Sequence, residues 1–314
     1  MASTPDDHSS RGAVTAGPGV EPVPSGEAPP RLAGTAPDGH ARVVFDFDWS
    51  LVDENTDTLC FDKVLDRAAF EEGTVRVRAL ARESGWTAAI DFMHGHVAEV
   101  NDISAEAVLR AVAATPMHDD VVAAVGELHA AGVGMSILSD ANSLFIGAVL
   151  AARGFSVDAG FRDALESAGL SSLPAASATP TFTPIVTNVA WVQAAKDGTP
   201  GPPRVRIRPH DPAPTGCPRC PVNLCKGRAL LAMLLPATGG GGDGAGPRIV
   251  YVGDGSGDAC PSLLLRPGDV VLARAGFPLA AAIEKHGGTR ATVREWADGA
   301  ELASLLRMEA LGGK

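Results

Sequence analysis

Short apolar runs alternate with longer segments of helical spacing from about residue 42 to the end of the chain. Four of these runs predict buried strands, because they are short and contain β-branched residues. The four runs are 42–45, 133–138, 249–252 and 269–272. Two further short strands are predicted at 184–188 and 204–208, on either side of a loop rich in Gly and Pro.

Helical spacing fills the intervals between the strands. The longest helical region is 58–115, in which Ser104 and Ala107 mark a helix start. Further helices are predicted at 119–131, 143–153, 226–235, 278–285 and 298–311. Buried strands that alternate with helices indicate an α/β fold, in which a parallel sheet is covered by helices on both faces. Ligands bind beyond the carboxyl ends of the strands in such a sheet, so the residues that follow each strand are the candidates for chemistry.

Three segments lack the large apolar residues that a core needs. Residues 1–41 consist mainly of Pro, Gly, Ala, Ser and Thr, and we predict that they form a disordered tail. An insertion loop rich in Ala, Ser and Pro is predicted at 162–181, and a flexible glycine-rich connection at 239–246. The remaining chain is long enough for one large α/β domain, or for a core with a smaller inserted domain.

Composition and charge narrow the class of protein. The 314 residues carry a formal net charge of -11, which argues against a nucleic-acid partner because polyanions bind to basic surfaces. A small phosphate ester is compatible with this charge, since a few backbone N–H groups, a lysine and a metal ion bind phosphate locally. The five cysteines are an odd number and favour a reducing compartment. No apolar run approaches the ~20 residues that span a bilayer, so we expect a soluble cytoplasmic protein without a membrane partner.

Two carboxylates follow the first predicted strand directly. Asp46 and Asp48 are spaced i, i+2, and at the end of a strand their side chains can converge on one reacting centre. One carboxylate can then attack phosphorus as a nucleophile while the other donates a proton to the leaving oxygen. The structural alternative is a turn that happens to be rich in Asp.

Three further motifs lie at the ends of strands or helices. Ser139 follows the second strand, where its hydroxyl and free N–H groups can hold phosphate, unless it merely caps a helix. Lys226 begins a predicted helix, where its ammonium could balance the charge of a phosphoryl group or lie in solvent. Asp254 follows the third strand between two glycines and offers the hard oxygen that Mg²⁺ prefers, although Asp-Gly pairs also form turns. Four such motifs in this order are much rarer by chance than any one of them.

The series resembles the four sequence motifs of phosphatases of the haloacid dehalogenase (HAD) superfamily. The matching positions are Asp46-x-Asp48, Ser139, Lys226 and Gly253-Asp254-Gly255-x-x-Asp258. Within that superfamily, the chain is similar to the phosphoethanolamine/phosphocholine phosphatase and pyridoxal phosphate phosphatase family from about residue 43 to beyond residue 278. The more specific positions are Val52-Asp53-Glu54-Asn55-x-Asp57, Asp140-Ala141-Asn142, Cys217-x-x-Cys220-Pro221-x-Asn223-x-Cys225-Lys226 and Cys260-Pro261. Trp49-Ser50 and Gly257 depart from the usual pattern, although Ser50 keeps a hydroxyl.

The resemblance implies a fold and a division of the chain. The fold would be a HAD-like Rossmannoid parallel sheet with helices on both faces and a small helical cap inserted after the first strand. The core domain would comprise residues 42–57 and 116–314. The cap would comprise residues 58–115 and would close over the site to exclude water.

The resemblance also implies a mechanism. Asp46 would attack phosphorus and form an aspartyl phosphate, and Asp48 would protonate the leaving alcohol and then activate water. Mg²⁺ would be held by Asp46, the backbone carbonyl of Asp48 and Asp254. Ser139 and Lys226 would bind the phosphate oxygens. Asp258 would orient the water molecules that the metal ion holds.

The substrate would be a small phosphate ester. Asp57 and Asp140 match acids that face the leaving group in the resembled family, so we expect a cationic amine there, with phosphoethanolamine or phosphocholine as the first candidates. The alternative is that both residues are helix caps. Pyridoxal phosphate, thiamine monophosphate, phosphoserine and pyrophosphate stay open as substrates. A phosphotransferase and a catalytically silent HAD-fold binding protein stay open as classes.

Cysteines and histidines offer a second candidate site. Cys217, Cys220 and Cys225, with His210 nearby, have part of the spacing of a zinc site. We favour the interpretation that these three thiols only pack the loop. For His94 and His96 we expect positions on the surface or within the packing of the cap, because the sequence offers them no supporting partners.

Overall fold

The computed structural model describes residues 41–170, 181–195, 201–234 and 246–312. The predicted tail lies outside these ranges except for residue 41, and so do most of the predicted glycine-rich connection and the second half of the predicted insertion loop. No helix in the described ranges is long and apolar enough to cross a membrane.

Seven strands of the described residues form one sheet, in the order β4-β3-β2-β1-β5-β6-β7. All neighbouring strands are parallel except β3 and β4, which form an antiparallel edge. The strands are β1 (Arg42–Phe45), β2 (Met135–Asn142), β3 (Ile185–Gln193), β4 (Arg204–Arg208), β5 (Ile249–Gly253), β6 (Val270–Arg274) and β7 (Thr292–Trp296).

The helices of the described residues connect these strands. Four of them lie between β1 and β2, ahead of the helix that leads into β2: α1 (Thr56–Val64), α2 (Arg67–Ser84), α3 (Trp86–Asn101) and α4 (Ala105–Ala113). The others are α5 (Asp119–Ala130), α6 (Ser143–Ala152), α7 (Ala159–Ser167), α8 (Lys226–Leu234), α9 (Ala259–Ser262), α10 (Leu279–Lys285) and α11 (Gly299–Leu311).

The central strand β1 shows why the sheet is covered on both faces. Successive side chains of a strand point to opposite faces, and β1 is apolar at consecutive positions. Val43 and Phe45 pack into a core with residues of α4, α5, α6 and α11. Val44 packs into a second core with residues of α8 and α10. A strand buried on both faces needs this unbroken apolar run, which confirms the α/β fold with a HAD-like parallel sheet.

The strand order determines where a ligand can bind. From β1 the chain builds outward to β2 and β3 on one side, and to β5, β6 and β7 on the other. A crevice opens at such a switch point, beyond the carboxyl ends of the central strands. The residues that follow β1 and β5, together with the last residues of β2, therefore meet at one edge of the sheet.

Polar side chains at the predicted boundaries fix several helix starts. The side chain of Asn55 accepts a hydrogen bond from the Thr58 N–H at the start of α1. Ser104 does the same for the Ala107 N–H at the start of α4, as the sequence predicts.

Helix α3 is tied to the edge of the sheet by charged contacts. The carboxylate of Asp91 accepts hydrogen bonds from the Arg206 guanidinium, at 2.9 and 3.1 Å, and from the Ile207 N–H at 2.7 Å. Because Arg206 and Ile207 belong to β4, these contacts hold α3 against the antiparallel edge of the sheet.

Two predictions of secondary structure are wrong or incomplete. The first part of the predicted insertion loop is helical, because Asp158 caps α7 and Leu165 is buried against α6. The edge strand β7 was not predicted. Its side chains are exposed except for Trp296, so it lacks the apolar run that marks the other parallel strands.

Candidate active site

The motif residues meet around a cavity of about 240 Å³ at the carboxyl edge of the sheet. Asp46 follows β1 directly, and Asp254 follows β5. Asp140 and Ala141 are among the last three residues of β2. Lys226 is the first residue of α8 and faces the same cavity. Four segments that are distant in sequence therefore contribute to one site.

Lys226 is the centre of a buried charge network. Its Nζ donates to Asp46 Oδ1 at 2.8 Å and to Asp258 Oδ1 at 2.8 Å. Burial would lower the pKa of Lys226, but the carboxylates of Asp258 and Asp46 outweigh it and hold that pKa well above its usual value. The lysine is therefore charged at neutral pH, and the alternative of a solvated surface lysine is wrong because only 2% of its surface is exposed.

Asp258 is held on both carboxylate oxygens. Its Oδ1 accepts from Tyr251 Oη at 2.7 Å as well as from Lys226, and its Oδ2 accepts from the Gly255 N–H at 3.0 Å. A side chain at Gly253 would collide with this carboxylate, since an added Cβ would lie 2.8 Å from Asp258 Cγ. Gly253 therefore allows Asp258 to approach the end of β5. Tyr251 was not predicted as a site residue, because its strand position marks it only as core.

The carboxylates form a cluster that fits a divalent cation. Oxygen atoms of Asp46, Asp254 and Asp258 lie within 4.8 Å of one another. Burial and the charge of Asp258 raise the pKa of Asp254 to about 6. Burial, and next the charge of Asp258, also raises the pKa of Asp46 well above its usual range, against the opposing charge of Lys226. Three carboxylates against one ammonium leave an excess of negative charge, and hard oxygen donors with such an excess suit Mg²⁺.

The residues that depart from the usual motif have defined contacts. Ser50 Oγ donates to Asp254 Oδ1 at 3.3 Å, so the serine hydroxyl contacts the acidic cluster. Trp49 lines the cavity with a left-handed backbone, φ 58°, and its carbonyl accepts from the Arg274 guanidinium at 2.9 Å. The Arg274 contact holds a conformation that costs energy for a residue with a bulky side chain.

Asp48 lines the cavity beside the first turn of α1. Its Oδ1 accepts from the Thr56 N–H at 3.0 Å and from Thr56 Oγ1 at 2.8 Å. Burial and the charge of Asp57 raise the pKa of Asp48 well above its usual range. A carboxyl group with a raised pKa can carry a proton near neutral pH, which a general acid requires.

Ser139 is the predicted residue that does not line the cavity. It lies inside β2, only 1% of its surface is exposed, and its Oγ accepts from the Ala141 N–H at 3.2 Å. The predicted helix at 143–153 begins at Ser143 as α6, with the side chain of Asn142 as its cap, so the alternative that Ser139 merely caps a helix is wrong.

Asp57 and Asp140 both line the cavity. The indole N–H of Trp86 donates to Asp57 Oδ2 at 2.7 Å, and the Asp140 carboxylate lies 3.7 Å from Lys226 Nζ. Burial and the charge of Asp140 raise the pKa of Asp57 to about 7. Asn55 and Asn142 cap the neighbouring helices, so neither acid is the helix cap that was the structural alternative. Trp86 also lines the cavity, although no motif pointed to it.

The histidines and cysteines lie elsewhere. His94 is buried between Phe61 and Phe145, with ring centroids at 4.8 and 5.5 Å, which confirms its packing role. His96 stacks on Phe92, with ring centroids at 6.3 Å. The side chain of His210 contacts the Thr187 carbonyl and is not part of the cysteine group, so the predicted association of His210 with the cysteines is wrong.

The family match defines the class of protein as a phosphatase, and the fold is HAD-like. The sequence pattern of the family described as "Putative Phosphatase" matches residues 41–164 and 169–310. The chain belongs to this family.

Relatives of known name agree with this assignment. An inorganic pyrophosphatase of Arabidopsis thaliana is 29% identical over 272 residues, covering 84% of this chain and 81% of the relative. The phosphoethanolamine/phosphocholine phosphatase of Homo sapiens is 27% identical over 268 residues, covering 83% of this chain and 85% of the relative. A pyridoxal phosphate phosphatase of Rattus norvegicus is 26% identical, covering 84% of this chain and 96% of the relative.

The solved structures agree on the fold. A HAD-family hydrolase from Salmonella enterica subsp. enterica serovar Typhi matches with a TM-score of 0.50 and 13% identity, covering 88% of this chain and 74% of that one. The comparisons together confirm the predicted family, the HAD-like fold and the class of phosphoric monoester hydrolase. The names of the relatives differ in substrate.

Proposed function

We propose that the protein is a magnesium-dependent phosphatase of a small phosphomonoester whose leaving group carries an ammonium. The observation that carries this proposal is the composition of the cavity, whose lining includes two acids that the phosphoryl chemistry does not require. These acids are Asp57 and Asp140, and the indole-bearing residues Trp49 and Trp86 line the same cavity.

The phosphoryl transfer begins with Asp46. One of its carboxylate oxygens attacks phosphorus, the bond from phosphorus to the leaving oxygen breaks, and an aspartyl phosphate forms. Lys226 stands 2.8 Å from Asp46 and balances the negative charge that gathers on the phosphoryl oxygens. Asp258 keeps the lysine in this position through its own bond to Nζ.

Asp48 is proposed as the general acid and base. Its raised pKa supports a protonated carboxyl group, which gives its proton to the leaving oxygen of the alcohol. The same carboxylate then takes a proton from the water that hydrolyses the aspartyl phosphate. Thr56 fixes one oxygen of Asp48, so the other oxygen stays available for proton transfer.

Mg²⁺ is proposed to bind at Asp46, Asp254 and the backbone carbonyl of Asp48. When bound, the cation supplies Lewis-acid stabilisation of the phosphoryl oxygens. Asp258 is proposed to act from behind these ligands, because both of its oxygens are already engaged by Lys226, Tyr251 and Gly255. Ser139 is proposed to donate its hydroxyl proton to a phosphate oxygen, while its Oγ accepts from the Ala141 N–H.

Residues 58–115, which contain α2–α4 and all but the first two residues of α1, are proposed as the cap of the enzyme, which closes over the cavity and excludes water during the reaction. Trp86 of this region lines the cavity, and so do Asn55 and Asp57 just before it. The core domain would then comprise residues 42–57 and 116–314. The cytoplasmic location stays a prediction from the odd number of cysteines.

The cavity wall favours a cationic leaving group. Carboxylates attract an ammonium, and the face of an indole ring attracts cations, quaternary ammonium groups above all. Lys226 is the one basic side chain among the described residues of the cavity, and both Asp46 and Asp258 already contact it. Phosphoethanolamine and phosphocholine are therefore our first candidates.

Pyrophosphate is the second candidate, because a relative named inorganic pyrophosphatase covers most of the chain. The second phosphate of pyrophosphate would lie against Asp57 and Asp140, where two carboxylates would repel it. This arrangement makes pyrophosphate a poorer fit than an amine, unless additional cations accompany it.

The proposal is tested by kcat/KM for a matched set of phosphate esters with Mg²⁺. We expect phosphocholine and phosphoethanolamine to exceed glycerol phosphate and pyrophosphate by at least about tenfold, the effect of a single charged contact. Pyridoxal phosphate and thiamine monophosphate complete the set. A preference for pyrophosphate, or equal rates on charged and uncharged leaving groups, would contradict the proposed substrate class. Assays with added glycerol distinguish hydrolysis from transfer, since a phosphotransferase would release glycerol phosphate.

A further inference from the structure

Four of the five cysteines come together, three from the segment before α8 and one from α9. The sulfurs of Cys217, Cys220, Cys225 and Cys260 lie within 4.8 Å of one another, and all four are free thiols. Cys217 and Cys220 are partly exposed, whereas Cys225 and Cys260 are buried. The fifth, Cys60, is buried in α1 and does not belong to this group.

We infer that these four cysteines bind a structural zinc ion. Four sulfurs at about 2.3 Å from a central zinc ion lie about 3.8 Å from one another in a tetrahedron. The sulfurs of Cys217 and Cys260 are separated by 3.8 Å. The group is therefore already close to the geometry of four thiolates around a single ion. It is too compact for an iron–sulfur cluster, whose several metal atoms would hold the thiolates further apart.

Hydrogen-bond donors of the loop and of α8 lie beside the sulfurs. Backbone N–H groups in the first turn of α8 are directed at two of them, from Gly227 to Cys220 and from Arg228 to Cys225. Hydrogen bonds to sulfur stabilise its negative charge. The guanidinium of Arg219 lies beside Cys260 and supplies a compensating positive charge.

The packing also brings the fourth cysteine into place. Gly227 meets Cys260 so closely that an added Cβ would lie 2.6 Å from its sulfur. The absence of a side chain at Gly227 lets α8 and α9 approach until Cys260 joins the three cysteines of the preceding loop. This approach supplies the fourth ligand that the sequence spacing of Cys217, Cys220 and Cys225 lacked.

The position of the group indicates what the ion would do. Cys225 precedes Lys226 directly, and Cys260 follows Asp258 by two residues. A metal ion bound by both segments would fix the start of α8 against the loop after β5, and so would position the ion pair between Lys226 and Asp258. All four tetrahedral positions are filled by protein, which is typical of structural zinc and leaves none for substrate.

The test is the metal content of the full chain, purified under reducing conditions from cells supplied with zinc and then dialysed against buffer with Mg²⁺. We expect about one zinc ion per chain by elemental analysis. A mercurial reagent that modifies thiols should release that zinc, and protein purified with cobalt should show the intense visible and near-ultraviolet bands of a tetrahedral cobalt thiolate. Zinc-free wild-type protein with four titratable thiols in this group, or iron in place of zinc, would overturn the inference.

Single substitutions locate the ion. Cys217→Ser and Cys260→Ser should retain less than about a tenth of the wild-type zinc, because three thiolates bind far more weakly than four. Cys60→Ser is the matched control and should keep its zinc. Retention of zinc by both cluster variants would contradict the assignment. If those variants do not fold, the zinc content and mercurial release of the wild type still decide the question, and neither measurement depends on phosphatase activity.

Discussion

The two walls of the cavity are built differently. On the wall formed by the core, Lys226 donates to two carboxylates at 2.8 Å, and Asp258 is held by three donors. On the wall formed by α1 and α3, the Asp57 carboxylate has one side-chain donor in the described structure, the partly exposed indole of Trp86. The core wall is a closed network of charges, whereas the other wall leaves negative charge to be neutralised.

This difference separates reaction from selection. A network that is complete without substrate holds reacting groups in place, which is how a preorganised site lowers a barrier. An acid with few partners gains most from a cation that arrives with the substrate, and the two proposed here are Asp57 on α1 and Asp140 at the end of β2, 3.7 Å from Lys226 Nζ. Changes to Asp46 or Lys226 should therefore affect all substrates equally, whereas changes to Asp57 and Asp140 should affect only cationic ones.

The largest effect is expected from Asp46→Asn. The amide cannot attack phosphorus, so kcat should fall at least about a thousandfold on every substrate. The fold should survive, because the substitution removes one charge from a group of like charges. The measurements are kcat on phosphocholine and on glycerol phosphate, and the circular dichroism of the purified variant.

Asp158→Asn is the matched control for this experiment. Asp158 caps α7 outside the cavity, and asparagine is as good a cap as aspartate. A folded Asp46→Asn protein with more than a small fraction of wild-type activity would contradict the assignment of the nucleophile.

The next effect is expected from Lys226→Met, in stability as well as rate. Removing the ammonium leaves buried carboxylates unpaired, which costs about 3–5 kcal/mol. The loss should be larger at pH 8 than at pH 5. The pKa of Asp46 is already raised in the folded protein and would rise further without the lysine. A carboxyl group with a raised pKa in the folded state makes unfolding more favourable as the pH increases above 3.8, the pKa of that group in the unfolded chain.

Urea unfolding without Mg²⁺ at the two pH values measures this difference. Wild-type protein is the reference, since the raised pKa of Lys226 keeps its ammonium charged at both pH values. An equal loss of unfolding free energy at pH 5 and pH 8 would show that Lys226 does not compensate the carboxylates.

Asp57→Asn and Asp140→Asn should act selectively. Each removes one charged contact to the substrate ammonium, which is worth about 1–3 kcal/mol, or roughly 5- to 150-fold in kcat/KM. The loss should appear with phosphocholine and be small with glycerol phosphate. Equal losses on the two substrates would assign these residues to the phosphoryl chemistry and break the distinction between the walls.

The smallest effect concerns pH. The pKa of Asp57 is raised to about 7 by burial and by Asp140, so this carboxyl is neutral below that pH and charged above it. KM for phosphocholine should therefore fall as the pH rises from about 6 to about 8, by no more than about tenfold. Glycerol phosphate is the control for this measurement. Its phosphate group also titrates, so the change of its KM with pH gives the part that does not depend on the ammonium.

Trp86→Phe sharpens this prediction. The hydrogen bond from the indole favours the charged form of Asp57, so its removal should raise the pKa of Asp57 and move the change in KM to higher pH. An unchanged pH profile in the variant would mean that another group controls KM.

The parts of the site that could be predicted are those that repeat a local pattern. Asp46 and Asp254 each follow an apolar run that can only be a buried strand, and parallel strands bring their carboxyl ends together. Lys226 could be placed at a helix start by its family-specific surroundings. The predicted strands and the family motifs were thus sufficient to propose which groups meet at the site.

The parts that could not be predicted depend on tertiary contacts. Tyr251 looks like a core residue of β5 until its hydroxyl is seen to donate to Asp258. Trp86 begins a helix far along the chain from Asp57, and no spacing links the two residues. Cys260 joins the other three cysteines only because Gly227 allows α8 and α9 to pack closely. The polar edge strand β7 was missed because its side chains are mostly exposed.

The central claim is that Asp46 carries the phosphoryl group, and an acid quench tests it most directly. Protein mixed with phosphocholine and Mg²⁺ is quenched in acid during turnover, digested and examined by mass spectrometry. We predict a phosphate on the peptide that contains Asp46, labile to hydroxylamine, and no such adduct in Asp46→Asn. An active enzyme that yields no acyl phosphate under these conditions, or that yields one on another residue, would contradict the account.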